Sequence, residues 1–159
     1  MQIRKNKINQ VAGVFAGLLI CSLSCSAPKE MTYFRTGEVN CVENDNRLVT
    51  VSSLHHGSSG AQAQMFAERN ALENLLFRGI PGCYDVPIVS DEQASMRDHS
   101  SFYAWLIDAR EYERFITDRG ANQSAASGGI VTIDMTITFD VQALRKEMEK
   151  QGVIKKFGI

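Results

Sequence analysis

The chain has 159 residues, of which 44% are hydrophobic and 22% are charged, and its formal net charge is −1. This length suits one domain, and the composition excludes a globally disordered chain. The charge balance shows no basic excess, so it predicts no nucleic-acid partner.

The first 24 residues have the layout of an export signal. Arg4, Lys5 and Lys7 are their only charged side chains, and a mostly apolar run extends from Val11 to Leu23. This run is shorter than the ~20 apolar residues that a membrane-spanning helix needs, so we predict a leader peptide that is removed. The rest of the chain has 14 basic and 18 acidic side chains, a net charge of −4.

The residues around Cys25 resemble the lipobox of bacterial lipoproteins, in which a small residue precedes a cysteine just after the apolar run. In that family the cysteine thiol receives a diacylglycerol, and a peptidase cuts before it. The resemblance makes Cys25 the lipidation site, although Ser22 stands where the family has Leu. Two alternatives are Cys21, which follows the bulky Ile20, and a plain secretory signal cut near Ala27.

Residues 25–32 are polar, contain a proline and have no periodicity, so we predict a tether between lipid and domain. Two or three acyl chains hold a protein firmly on a membrane without spanning it. Ser26 stands where an Asp would resemble an inner-membrane retention signal, which favours the outer membrane.

Two strand patterns open the body of the chain. Tyr33 to Val42 and Arg47 to Leu54 are rich in β-branched and aromatic residues, and the polar cluster Glu43 to Asn46 separates them. This arrangement predicts a β-hairpin.

The longest helix signal lies between Gly60 and Gly82. Ser58 and Ser59 supply N-cap hydroxyls, while Gly79 and Pro81 supply the stop. Alanines recur every four residues, at Ala63, Ala67 and Ala71. This spacing predicts a narrow ridge on one face of the helix, which another element can approach closely.

The middle of the chain is less regular. We predict a loop or a short edge strand at Cys83 to Ser90 and a mobile polar excursion at Asp91 to Ser100. A helical pattern covers Ser101 to Asp118 with a break near Asp108. The run Gly120 to Gly129 is low in complexity and is predicted to be flexible.

The strongest strand signal is Ile130 to Phe139, where apolar and polar residues alternate. Asp140 is a predicted N-cap for a helix at Val141 to Gln151, which Gly152 ends. The order β-β-α-(β)-α-β-α predicts a single α+β domain at residues 33–159, with a mostly antiparallel sheet and a long helix packed on one face.

Few residues have the spacing of a chemical site. The body contains five histidines and cysteines: His55, His56, His99, Cys41 and Cys83. Their spacing matches no metal-binding motif, so we predict neither a metal nor a cofactor. Cys41 and Cys83 are either a disulfide, formed after export, or two buried free thiols.

Two surfaces remain as candidates. Glu68 lies on the apolar arc of the long helix, where we expect it at the wet margin or paired with Arg69 or Arg78. Aromatic and arginine side chains further along have the composition of an interface, although a core position explains the aromatic residues equally: Phe102, Tyr103, Trp105 and Arg110.

The body also resembles small envelope lipoproteins related to the N-terminal domain of flagellar-assembly protein T. The matching positions are Ala63, Ala67, Asn70, Ala71 and Leu72, then Val131 to Phe139, Leu144 and Gly152. This resemblance implies a non-catalytic assembly module. It supports no flagellar role, because the insertion at Asp91 to Gly129 departs from the compact pattern.

We therefore expect a lipid-anchored protein that binds another component of the cell envelope, in an oligomeric state the sequence does not specify. The alternative is a cell-wall ligand-binding protein or hydrolase with a site near His55, His56 and Glu68. A third reading is a secreted protein without an anchor.

Overall fold

The sheet of this protein has four strands, all antiparallel to their neighbours, in a computed structural model that describes residues 31–156. In the order β1-β2-β4-β3, they are β1 (Val39–Asn44), β2 (Leu48–Gly57), β4 (Ile130–Asp140) and β3 (Ile116–Ser127). Helices accompany the sheet, so the predicted α+β class is confirmed.

Helix α1 (Gly60–Phe77) packs against β2 and β4 on one face of the sheet. Its cap is as predicted, because the Ser59 hydroxyl accepts a hydrogen bond from the Gln62 amide. After Phe77 the chain turns at Gly79, whose φ of 80° lies in the left-handed region.

The core lies between α1 and the sheet. The predicted alanine ridge is fully buried there. Its first residue lies close to Gly57, where an added Cβ would be 2.9 Å from Ala63 Cα, so the glycine makes this close approach possible. Strand β4 buries one face, as its alternation predicts: Ile133, Met135, Ile137 and Phe139.

Four short helical segments lie between α1 and β3, and they correct the predictions for this part of the chain. They are α2 (Glu92–Asp98), α3 (Ser100–Tyr103), a π-helical turn (Ala104–Asp108) and a 3₁₀ helix (Glu111–Phe115). The predicted mobile excursion at Asp91 to Ser100 is instead mostly α2, because the Asp91 side chain caps it.

The helix predicted at Ser101 to Asp118 breaks at Ala109, close to the predicted place, and its last residues belong to β3. The run Gly120 to Gly129, predicted as a flexible low-complexity segment and not as a strand, mostly pairs with β4 as strand β3. The strand predicted from Tyr33 is also shorter than expected, since residues 33–38 are not part of the sheet.

Helix α4 (Val141–Lys150) begins where predicted, with the Asp140 carboxylate accepting a hydrogen bond from the Ala143 amide at 2.9 Å. Gly152, with a φ of 73°, follows its end. No helix in residues 31–156 has both the length and the hydropathy of a bilayer-spanning segment.

Candidate functional site

The predicted lipidation site, Cys25, lies outside the described residues. The described chain begins six residues later with Met31, whose carbonyl accepts a hydrogen bond from Gln62 Nε2 at 3.2 Å. Gln62 lies in the first turn of α1, so the chain enters the domain at the N-terminal end of this helix.

A charged network fastens the entering chain to α1. Glu73 is 4% exposed and accepts hydrogen bonds from the Tyr33 hydroxyl at 3.0 Å and from Arg35 Nε at 2.9 Å. The other two nitrogens of Arg35 form a bidentate pair with Glu92, and they hold the pKa of that carboxyl below its usual range. Arg69 completes the network, since it pairs with Glu73 at 2.7 Å and stacks over the Tyr33 ring.

Two buried amides fix the next turn of the entering chain. Asn70 Oδ1 accepts from the Thr36 amide at 2.8 Å, and Asn74 Nδ2 donates to the Thr36 carbonyl at 2.9 Å. Both amides project from α1, one helical turn apart. They therefore replace the sheet hydrogen bonds that the strand prediction assigned to this segment.

His55 lies in β2 and is 1% exposed, rather than in the loop that the sequence analysis expects. Its Nε2 is 2.9 Å from the Phe34 carbonyl, and its Nδ1 accepts from the His56 amide. This pattern assigns the ring hydrogen to Nε2. Both nitrogens are thus used, and the ring packs against Tyr33, Phe34 and Phe66.

The structure does not gather His55, His56 and Glu68 into one site. His56 turns to the opposite face of the sheet, where its Nδ1 is 2.8 Å from the Thr132 hydroxyl. Glu68 faces β3 instead. Among residues 31–156, no three His, Cys, Asp or Glu side chains are grouped as metal ligands.

Glu68 is fully buried, which corrects its expected place at the wet margin of α1. Its partner is neither Arg69 nor Arg78, but Arg119 of β3, with Nη1 at 2.8 Å from Oε1. Arg110 Nη2 lies 3.7 Å from the other oxygen. Burial, and then the charge of Glu68, raise the pKa of the neighbouring Tyr112 hydroxyl to about 12.

Arg110 links this buried carboxylate to the surface. It has a φ of 62°, a left-handed conformation that is uncommon outside glycine, and follows the π-helical turn. Its Nη2 pairs with Glu113 at 2.6 Å, while its buried Nε has no hydrogen-bond partner among the described residues. Arg110 is therefore held in a charged cluster with Glu68 and Glu113.

The aromatic part of the predicted interface lies largely in the core. Phe102 is 8% exposed and Tyr103 is 2% exposed, so neither presents a surface to a partner. Trp105 is half-buried, with its ring against Phe102 and beneath the Arg114 guanidinium. Trp105 and Arg110 are the two members of the predicted set that reach the solvent.

Cys41 and Cys83 form a disulfide, with their Cα atoms 5.3 Å apart. The bond joins β1 to the turn that follows α1. Asn44 and Cys83 are also joined, by a hydrogen bond from Asn44 Nδ2 to the Cys83 carbonyl. The edge strand β1 is thus fixed to the body by a covalent and a polar contact.

Strand β3 forms the other edge of the sheet and has no such cover. Within residues 31–156, β4 is the one strand that pairs with it, and every residue from Thr117 to Ser127 is exposed. The stretch from Gly120 to Ser127 contains no charged side chain and no proline. Native sheets commonly protect an edge with charges or proline, so this edge is open to another strand.

Comparison of the chain with protein-family models, with curated proteins and with solved structures found no match. The resemblance to small envelope lipoproteins stays a prediction.

Proposed function

We propose that this chain is a lipid-anchored bacterial cell-envelope protein, located at the outer membrane, that acts as a non-catalytic interaction module. The open edge of β3 carries the interaction part of this proposal. Its free backbone amides and carbonyls are suited to an extended segment of an envelope protein, which would add to the sheet as a fifth strand.

The side chains of β3 favour this mode of binding. On the face shared with α1, β3 presents Ala121 and Ser124, which pair with Met135 and Ile133 of β4. Small residues at an edge leave space for larger side chains from an added strand. Arg119, held by Glu68, marks the end of this small-residue stretch.

The anchor part rests on Cys25 and on the entering chain. A tether subject to pulling from the membrane needs a firm attachment to the domain, and residues 33–36 are fixed to α1 by an ion-pair network and two buried amides.

A photo-crosslinking residue at Gln123, in β3, tests the interaction in whole cells. We expect a crosslinked product that Ala121→Lys removes, because an inward-facing charge blocks pairing at an edge. The matched control is Ala109→Lys, at another exposed alanine that lies outside the sheet, which should leave the product unchanged.

Equal crosslinking in both lysine variants would contradict the proposal. A product with twice the mass of the chain would identify the added strand as that of a second copy.

A further inference from the structure

Among residues 31–156, one end of the domain carries no formal charge, and it is the end at which Met31 lies. Residues 31–34, 55–67 and 120–133 contain no Asp, Glu, Lys or Arg. Their meeting point is set by the sheet register, because Gly57 pairs with Val131 and Ser127 pairs with Ile130. Met31 is held at the same end through Gln62.

The opposite end of the strands is charged. There Leu48 pairs with Asp140, and Arg47 forms an ion pair with the Asp140 carboxylate at 2.9 Å. Asp45 lies in the adjoining β1–β2 turn, where its carboxylate accepts from the Arg47 amide at 3.0 Å. The charge of the molecule is therefore distributed unevenly along the strand direction.

The uncharged end also exposes large apolar side chains. Phe34 is 57% exposed and Ile130 is 45% exposed. Ile130 also lines a groove of about 440 Å³, together with Met31, His56, Ala125, Ser127 and Thr132. The side chains of this surface include no Asp, Glu, Lys or Arg, so contact with a membrane removes none of those charges from water.

From this arrangement we infer that the uncharged end lies against the lipid bilayer, with Phe34, Ile130 and the groove at the membrane surface. The inference rests on the proposed lipid anchor at Cys25. Met31 is six residues after Cys25, and a fully extended chain of six residue steps spans only about 20 Å. The lipid would thus hold this end near the membrane, while α1 carries the other end roughly 27 Å away, at 1.5 Å per residue.

The contact of the uncharged end with the bilayer would fix the orientation of the domain. It would add little to membrane affinity, because two or three acyl chains already supply most of it. A bound orientation of this kind leaves the outer edge of β3 running away from the bilayer. This orientation adds a detail to the proposed function, since an envelope partner would meet β3 at a defined height above the membrane.

The depth of single tryptophans tests the inference. Trp105→Phe first removes the natural tryptophan, and Ile130→Trp or Phe34→Trp is then introduced into that background. The full-length, processed proteins are reconstituted in phosphatidylethanolamine–phosphatidylglycerol vesicles whose acyl chains are brominated, and the quenching of the one remaining tryptophan is measured. Val86→Trp is the matched control, because Val86 is 71% exposed and lies beyond the far end of α1.

We expect several-fold stronger quenching at positions 130 and 34 than at position 86. Equal quenching at all three positions, with the protein floating with the vesicles, would overturn the inference and leave the anchor in place. Protein that does not float with vesicles would overturn the anchor and the inference together.

Discussion

Glu68 is a carboxylate without contact with water, and residues distant in the sequence make its position possible. A buried charge is tolerated when it is paired and hydrogen-bonded. Arg119 supplies the short contact and Arg110 the longer one, while Gln64 Nε2 donates to the same carboxylate at 3.0 Å. The pair joins α1 to β3, a strand with little apolar contact of its own.

Removing Arg119 should therefore be costly. We expect Arg119→Met to lower the free energy of unfolding by about 3 kcal/mol, because it leaves Glu68 buried with a weakened partner set. The double variant Glu68→Leu/Arg119→Met should be closer to wild type than Arg119→Met alone. Urea denaturation midpoints measure both effects.

The control for this experiment is Arg97→Met, since Arg97 pairs with Asp98 where both side chains are exposed. Such a pair contributes at most about 1 kcal/mol. If Arg119→Met changed stability as little as Arg97→Met, the buried pair would not have the role we assign to it.

The Glu92 carboxyl should show a pH-dependent contribution. Its hydrogen bonds to Arg35 lower its folded-state pKa, so its stabilisation is present above the usual carboxyl range and is lost as pH falls through the folded pKa. Its size is at most about 1 kcal/mol, because the side chain is 38% exposed. Carboxyl NMR titration should show a low pKa that returns towards the usual range in Arg35→Met, and an unchanged titration would refute this account.

Some of these residue-level features were readable in the sequence. Asn70 and Asn74 are four apart, so they had to share a face of α1, and two amides beside an alanine ridge indicate a buried polar contact. The partners of Glu68 were not readable, because Arg110 and Arg119 approach it only through tertiary packing. The sequence analysis expected Arg69 or Arg78, but Arg69 pairs with Glu73, four residues further along the helix.

At the scale of elements, patterning identified the parts that bury an apolar face. Strand β4 and helices α1 and α4 were predicted close to their observed limits, since each carries a periodic apolar pattern or cap residues. Strand β3 carries neither. Its glycine, alanine and serine residues have low strand propensity, and hydrogen bonding to β4 imposes the strand on them.

The disulfide is the element-scale feature with the largest expected effect. It closes a separation of 42 residues, so the chain-entropy model predicts that Cys41→Ala/Cys83→Ala lowers the free energy of unfolding by about 3–4 kcal/mol. Mass spectrometry after treatment of the exported protein with a thiol reagent checks the bond itself. Modification of either cysteine without prior reduction would contradict it.

At the scale of the whole molecule, the two proposed surfaces share the end of β3, where Ala125 and Ser127 line the groove, and separate along the rest of that strand. The uncharged end, where Met31 enters, lies at one end of the strands, and the open edge of β3 runs along their side. A protein attached at the first surface can still offer the second to a partner. The α+β class and the long helix were predictable from periodicity, whereas this separation depends on the strand order, which local patterns do not determine.

The central claim is that Cys25 carries the lipid that attaches the domain to the envelope. Metabolic labelling of cells with a palmitate analogue tests it directly, using the wild type, Cys25→Ala and the matched variant Cys21→Ala. We expect label in the wild type and in Cys21→Ala, and none in Cys25→Ala. Label that persists in Cys25→Ala, or an unlabelled wild-type protein, would contradict the claim.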